Sequence, residues 1–275
     1  MKLHLLNYVL IGILLPVCFA VFPHRSASKT HTLHSNFQSP HKFIAAASSS
    51  LYILTKDTAS EDKNDEGREI VENYICAIGG RINLAKIYDR TIYLSGTIEG
   101  RDLNMIIYQK SPGKMREEIY LGPVRQVIVF DGSEGATRIG GKTLEITGHE
   151  LEKLKYESMP RFPLNFDSLG IKIEYLGREK INGTETEKVR MEMPGGAYLI
   201  QFYDSSSHLK IRELSSISVT EGEYIQETDY GDYNSVNGIK YPFTLIQKLG
   251  RHKSSFKVDS IKINSGLDND LFDLP

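Results

Sequence analysis

Residues 89–110 read DRTIYLSGTIEGRDLNMIIYQK, and this stretch decides the fold class. Apolar and polar residues alternate on both sides of Gly100–Arg101, as in two antiparallel strands joined by a tight turn. One apolar face of this hairpin consists of Ile92, Leu94, Ile98, Leu103, Met105 and Ile107. The stretch therefore predicts the first hairpin of an antiparallel sheet.

The same alternation recurs to the end of the chain, with turn residues about every ten positions, which is typical of a meandering sheet. Asn182–Gly183 and Asn237–Gly238 have the chemistry of two-residue hairpin turns. The predicted strands lie near 89–99, 102–110, 114–121, 124–130, 134–139, 171–178, 185–193, 197–204, 208–217, 222–231, 241–249 and 254–264.

Helical patterns are few. A one-sided helix is predicted to begin at Asn64 or Asp65 and to end at Gly79–Gly80, with a shorter helical piece after it. A second helix is predicted from the capping-box spacing of Thr147 and Glu150 to the prolines that follow Met159. The predicted fold class is α+β, mainly β.

The N-terminus has the features of an export signal. Residues 1–20 combine Lys2, an apolar run, Pro16 and a small residue at the end, so we expect a signal peptide cleaved near Ala20. An uncleaved membrane anchor and lipid attachment at Cys18 are the alternatives. Residues 21–64 are polar and predict a flexible tether, and residues 65–275 form the folded domain.

Composition excludes several classes of protein. The chain has 275 residues, 40% of them hydrophobic, and a formal charge of −2. These values exclude a wholly disordered, collagen-like or polytopic membrane protein. The near-neutral charge provides no positive field for nucleic acid, so no nucleic-acid partner is expected.

The sequence gives only weak evidence for catalytic or metal-binding groups. Asp229 with Asp232 offers paired carboxylates, as does the terminal group 268–273, but solvated turns explain both better. Cys76 lies in a helical pattern and is expected to be packed. Neither the serines before His208 nor the N-terminal histidines have the spacing of a hydrolase or a metal site. We expect no catalytic residue, metal or cofactor.

Several strands are apolar on both faces, for example 127–130. A closed barrel or sandwich core would account for this pattern. A curved, incomplete barrel with helices over a lipid-sized pocket would also account for it. Periodicity alone leaves both open.

The order of motifs resembles a known family, the outer-membrane lipoprotein-sorting proteins (LolA/LolB-like). The resemblance covers about residues 66–275, and the motifs that carry it are Val71–Gly80, Val129–Gly135, Tyr175–Thr184, Phe202–Leu209, Asp232–Pro242 and Asn269–Pro275. It implies a half β-barrel of about 11–12 antiparallel strands with two or three helices lidding an apolar cavity.

The resemblance also implies a function. Such carriers shield the acyl chains of lipoproteins in the periplasm and need no catalytic residue. The implied partners are acyl chains of lipoproteins or another lipid, and envelope transport proteins, with a monomeric carrier. The candidate cavity-wall residues are Ile92, Leu94, Met105, Ile107, Ile119, Ile128, Phe130, Met191, Ile200, Phe202 and Leu245. An envelope sensor or accessory interaction module is the alternative, and an uncharacterised hydrolase a more distant one.

Overall fold

The computed structural model describes residues 49–98, 100–219 and 222–275. Thirteen antiparallel strands form one sheet in the described part of the chain. The strands are β1 (Asp89–Ile98), β2 (Arg101–Lys110), β3 (Lys114–Leu121), β4 (Val124–Phe130), β5 (Gly135–Ile139), β6 (Lys142–Ile146), β7 (Lys172–Ile181), β8 (Thr184–Glu192), β9 (Tyr198–Asp204), β10 (Lys210–Val219), β11 (Gly222–Val236), β12 (Ile239–Leu249) and β13 (His252–Ile263).

The sheet order is β6-β5-β4-β3-β2-β1-β13-β12-β11-β10-β9-β8-β7. The first and last strands of the chain therefore pair in the middle of the sheet, with Ile92 opposite Ile261. Strands β6 and β7 are the two edges, although they are consecutive along the chain. The segment 147–171 must therefore run from one edge of the sheet to the other.

Three α-helices accompany the sheet in the described ranges: α1 (Ser49–Ala77), α2 (Gly80–Leu84) and α3 (Gly148–Glu157). The last turns of α1 bury Val71 and Ile75, and the next residue after the helix, Ile78, is buried in the same apolar cluster beside β7 and β8. Gly67 permits the contact, because a Cβ there would lie 3.0 Å from the backbone nitrogen of Tyr175. Helix α3 lies in the segment that connects the edges.

Helix α1 differs from its prediction in two respects. It is already helical at Ser49, the first described residue and well before Asn64, because residues 49–66 contain neither Gly nor Pro to stop a helix. Cys76 is exposed, and its predicted packed position is wrong. One residue beyond the buried Ile75, it points about 100° away from the sheet, as the 3.6-residue period requires.

The strand predictions are confirmed over most of their length, and the fold class is the predicted half-barrel architecture. Strand β6 was missed, because its five residues lie between Gly140–Gly141 and the next helix and are too few to show a period. The Asn182–Gly183 turn has positive φ at both residues, as a type I′ hairpin turn requires. Thr147 is the N-cap of α3 but makes no side-chain capping bond, so the predicted capping box is absent.

The core consists of two apolar clusters on the same face of the sheet. One joins β1–β4 and β13 to Leu154 of α3, which is fully buried. The other joins β7–β9 to α1 and includes Val189 and Met191. No helix in the described ranges is long and apolar enough to cross a bilayer. The predicted signal peptide, Cys18, and the histidines His24, His31, His34 and His41 lie outside the described residues.

Candidate functional site

The segment between β6 and β7 forms a roof over the concave face of the sheet. At one end, Leu154 of α3 packs on the first apolar cluster, close above Gly135. At the other end, Phe162 stacks edge-on between Tyr156 and Phe166, with ring centroids 6.1 and 5.1 Å apart. The roof is thus held to both halves of the sheet, and the space beneath it is divided into two adjoining lobes.

The larger lobe has a volume of about 340 Å³ and is mainly apolar. Strands β1, β2, β12 and β13 provide its floor, and Met159, Pro160 and Pro163 of the roof close it from above. The apolar floor residues are Ile92, Leu94, Ile107, Leu245, Val258 and Ile261. This volume lies within the range of about 300–1,000 Å³ that is usual for small-molecule pockets.

The smaller lobe has a volume of about 170 Å³, and more polar than apolar side chains line it, although apolar atoms still form most of its surface. Inward-facing positions of β9–β12 contribute most of its polar groups. The polar lining consists of Lys153, Glu157, Gln201, Lys210, Glu213, Ser215, Gln226, Thr228 and Gln247, with Tyr198 and Tyr230. A hydrocarbon chain alone would leave Lys153 Nζ, Glu157 Oε2 and Gln226 Oε1 without a hydrogen bond, so this lobe suits a polar moiety.

An ion pair separates the two lobes and lines both of them. Lys210 Nζ lies 2.7 Å from Glu213 Oε2 and 4.5 Å from the centroid of the Tyr230 ring. Gln201 donates a second hydrogen bond to the same carboxylate oxygen at 2.6 Å. Burial alone would raise the pKa of Glu213, but Lys210 and these hydrogen bonds hold it below its ordinary value.

Tyrosines surround this ion pair on the α1 side. Tyr233 donates its hydroxyl hydrogen to the backbone carbonyl of Lys210 at 2.7 Å. Tyr203 donates to Gln201, and its ring lies 5.2 Å from that of Tyr74 on α1. Burial raises the pKa of Tyr203 well above its ordinary value, so its hydroxyl stays protonated and remains a hydrogen-bond donor.

Helix α3 adds a second set of buried ionisable groups. Lys153 Nζ lies 3.6 Å from Glu157 Oε1. Burial raises the pKa of Glu157 to about 8 and that of Glu150 to about 7, and Lys153 opposes both shifts. Glu117 of β3 is fully buried near Glu157, and burial raises its pKa well above the ordinary value.

Several buried polar atoms in and around these groups have no hydrogen-bond partner within the described part of the chain. They are both carboxyl oxygens of Glu117, Glu150 Oε2, Lys153 Nζ, Glu157 Oε2 and Gln226 Oε1. Buried polar atoms of this kind are usually satisfied by solvent or a ligand. Gln226, which is only 3% exposed, lines the smaller lobe together with Lys153 and Glu157.

The predicted cavity-wall residues are distributed over three environments. Ile92, Leu94, Ile107 and Leu245 line the larger lobe. Buried positions in the two apolar clusters are occupied by Met105, Ile119, Ile128, Phe130 and Met191. Ile200 and Phe202 lie on the opposite face of β9 from Leu199 and Gln201, which line the smaller lobe. For all of these predicted wall residues, a role in binding stays a prediction.

The groups considered for catalysis lie apart from one another. Asp229 pairs with Arg212 and Lys248 on the face of β11 opposite Thr228. Asp204 accepts backbone hydrogen bonds from Ser206 and Ser207, which makes the serine stretch before His208 an Asx turn. Within the described ranges, no group of three or more His, Cys, Asp or Glu residues could hold a metal ion.

Sequence reasoning missed the polar lining. A signal was present, because Gln201 interrupts an apolar strand, and Gln226 and Thr228 share one face of β11. Their direction could not be assigned, because a polar residue at alternating positions ordinarily faces solvent.

The fold and the roofed space define the chain as an open antiparallel half-barrel with a two-lobed pocket that is partly open to solvent. Neither a family model nor a curated protein sequence matches it. Its structure is similar to a putative outer membrane lipoprotein-sorting protein domain from Vibrio parahaemolyticus, with a TM-score of 0.51 and 8% identity over 76% of this chain and 97% of that one. A DUF1329 family protein from Desulfovibrio piger has a TM-score of 0.50 and 9% identity over 75% and 96% of the two chains. The fold implied by the sequence resemblance is therefore confirmed.

Proposed function

We propose that this chain is an exported, non-enzymatic carrier of the cell envelope that shields an acyl chain in the larger lobe. The observation that carries the proposal is the apolar floor of that lobe, closed by Met159, Pro160 and Pro163 of the roof. Burying a methylene group from water is worth about 0.8 kcal/mol, so an acyl chain gains substantially by entering such a space.

Two further observations support a carrier. The fold is shared with a domain described as a putative outer membrane lipoprotein-sorting protein. The roof is continuous with both edge strands, so its displacement would open the lobe without unfolding the sheet. The N-terminal signal predicted from sequence would place the carrier in the periplasm, with acyl chains of lipoproteins or another lipid as cargo.

A filled-cavity variant tests this function. Ile92 lines the larger lobe, and Ile92→Trp should occupy the space of the acyl chain. Ile200→Trp is the matched control, because Ile200 lies on the opposite face of β9 from the lobe-lining Gln201. Native mass spectrometry of the purified proteins should detect a bound acyl ligand in the wild type and in Ile200→Trp, and little or none in Ile92→Trp.

Two results would count against the carrier. Wild-type protein free of acyl ligand, and unable to take up the apolar fluorophore N-phenylnaphthylamine, would remove the basis of the proposal. Equal ligand occupancy in the two tryptophan variants would show that lipid binds outside the larger lobe. A stable complex with an envelope protein and no lipid would instead favour the interaction module.

A further inference from the structure

The smaller lobe contains a set of polar groups that an acyl chain would leave unsatisfied. It adjoins the larger lobe, and both are lined by Tyr156, Glu157, Phe162, Lys210, Glu213 and Tyr230. One molecule can therefore occupy both, with its hydrocarbon part above the floor of β1 and β2 and its polar part beside β9–β12. The chemistry of the smaller lobe selects that polar part.

Each ammonium group that lines the smaller lobe lies beside a carboxyl group. Lys210 is paired with Glu213 at 2.7 Å, and Lys153 with Glu157 at 3.6 Å. A phosphate or carboxylate on the ligand would have to compete with the Glu213 carboxylate for Lys210. Beside Lys153 it would meet the same burial that raises the pKa of Glu157 to about 8 although Lys153 lies close by. It would also lose its own hydration on entry, which costs several kcal/mol for an uncompensated ion. The lobe therefore disfavours a charged headgroup.

The unsatisfied atoms of the lobe include both kinds of hydrogen-bonding group. Among the described residues, Lys153 Nζ has the ion pair with Glu157 but no hydrogen-bond acceptor, and Gln226 Oε1 has no hydrogen-bond donor. The unpaired Oε2 of Glu157 lies on the same wall. A hydroxyl group can donate to one of these atoms and accept from another, whereas an ester oxygen can only accept.

We propose that the chain binds a single-chain lipid whose headgroup is neutral and bears hydroxyl groups, as in a glycerol or sugar head. This inference rests on the proposed function, because the larger lobe must hold the acyl chain. The hydroxyls of the headgroup bond to Gln226 and the α3 side chains, and the Lys210–Glu213 pair remains intact between head and tail.

Competition among four lauroyl compounds tests the headgroup. N-phenylnaphthylamine bound to the purified protein is displaced with monolauroylglycerol, methyl laurate, laurate or lauroyl lysophosphatidate, each below its micellar concentration. Monolauroylglycerol should bind about tenfold more tightly than methyl laurate, since it can add hydrogen bonds to buried partners. Laurate and the lysophosphatidate should bind no more tightly than methyl laurate.

A matched pair of variants assigns the preference to the smaller lobe. Gln226→Met should weaken monolauroylglycerol binding about three- to tenfold and leave methyl laurate unchanged. Gln126→Met is the control, because Gln126 is also buried with an unpaired Oε1 but lies on β4, away from both lobes. It should bind the two compounds as the wild type does.

The outcomes separate this inference from the proposed function. If all four compounds displace the fluorophore equally, or the charged ones more tightly, the headgroup assignment is overturned while the carrier stands. Equal losses in the two methionine variants would likewise overturn it. If no lauroyl compound displaces the fluorophore, the acyl-binding function itself fails, and the headgroup assignment fails with it.

Discussion

Lys210 and Glu213 form an ion pair of 2.7 Å inside the half-barrel, three residues apart on β10. Gln201 and Tyr230 complete its surroundings, with a hydrogen bond to the carboxylate and a ring against the ammonium group. The side chains of Lys210 and Glu213 are only 16% and 18% exposed, and Glu157 and Phe162 of the roof line the same lobe. This pair lies where the larger lobe meets the smaller lobe.

Removing one partner of this pair should destabilise the fold. Lys210→Met leaves the Glu213 carboxylate, whose side chain is only 18% exposed, without a compensating charge. The expected loss is up to about 3–5 kcal/mol in the free energy of unfolding. Adding Glu213→Gln should restore most of that loss, because no charge is then buried without a partner. Urea denaturation of the wild type, both single variants and the double variant measures this coupling. Additive effects of the two substitutions would contradict it.

Glu157 should make stability depend on pH. Burial raises the pKa of Glu157 from 4.5 to about 8. The charges of Glu213 and Glu150 contribute to this rise, and that of Lys153 opposes it. Glu117, another carboxyl group, lies nearby and interacts with Glu157. The folded state therefore binds the proton more tightly than the unfolded state does. The stabilisation of the folded state by this proton is complete below pH 4.5 and is lost as the pH rises to about 8.

Glu157→Gln should flatten this part of the pH profile, because glutamine does not ionise. Chemical denaturation at a series of pH values between about 4.5 and 8 measures the slope. Glu152→Gln on the same helix is the control, since Glu152 is exposed and paired with Lys155. An unchanged slope in Glu157→Gln would show that other groups carry the dependence.

Asp89 should be a key residue in attaching the C-terminal segment to the sheet. Its buried carboxylate accepts hydrogen bonds from the backbone nitrogens of Ser265 and Gly266 at 2.8 and 3.0 Å. Asp89→Asn replaces one acceptor oxygen by a donor, so we expect a loss of about 1–3 kcal/mol in urea denaturation. Asp102→Asn, at an exposed position of β2, should have little effect. Similar stabilities of the two variants would argue against this attachment.

Gly96 should not tolerate a side chain. A Cβ at this position of β1 would lie 2.5 Å from the carbonyl oxygen of Ser255 and 2.6 Å from Cδ1 of Phe256 on β13. Gly96→Ala should therefore cost about 1–3 kcal/mol by forcing the two central strands apart. Gly231→Ala is the matched control in β11, because nothing lies within 4 Å of its Cβ position. Thermal unfolding of the two variants gives the comparison, and equal midpoints would refute the clash.

Local sequence determined the strands and their turns. Alternation and Asn–Gly pairs depend only on neighbouring residues, so the amino-acid sequence alone was enough to place the hairpins from β1 to β5 and from β7 to β13. The order of motifs also gave the half-barrel. The five residues of β6 are too few to show a period, so the sequence did not predict this strand. The extension of α1 back to Ser49 was not predicted either, because residues 49–64 are mostly polar and show no one-sided apolar pattern.

Only the tertiary structure decided which side chains line the two lobes. The face of β9 that carries Gln201 and Tyr203 is turned inward, and Ile200 and Phe202 lie on the other face, although both faces are largely apolar in sequence. Strand parity is set by pairing and by the position of the roof, which joins residues distant along the chain. For the same reason the polar lobe beside Lys210 and Glu213, and with it the headgroup we infer, became visible only when β9–β12 and α3 were brought together.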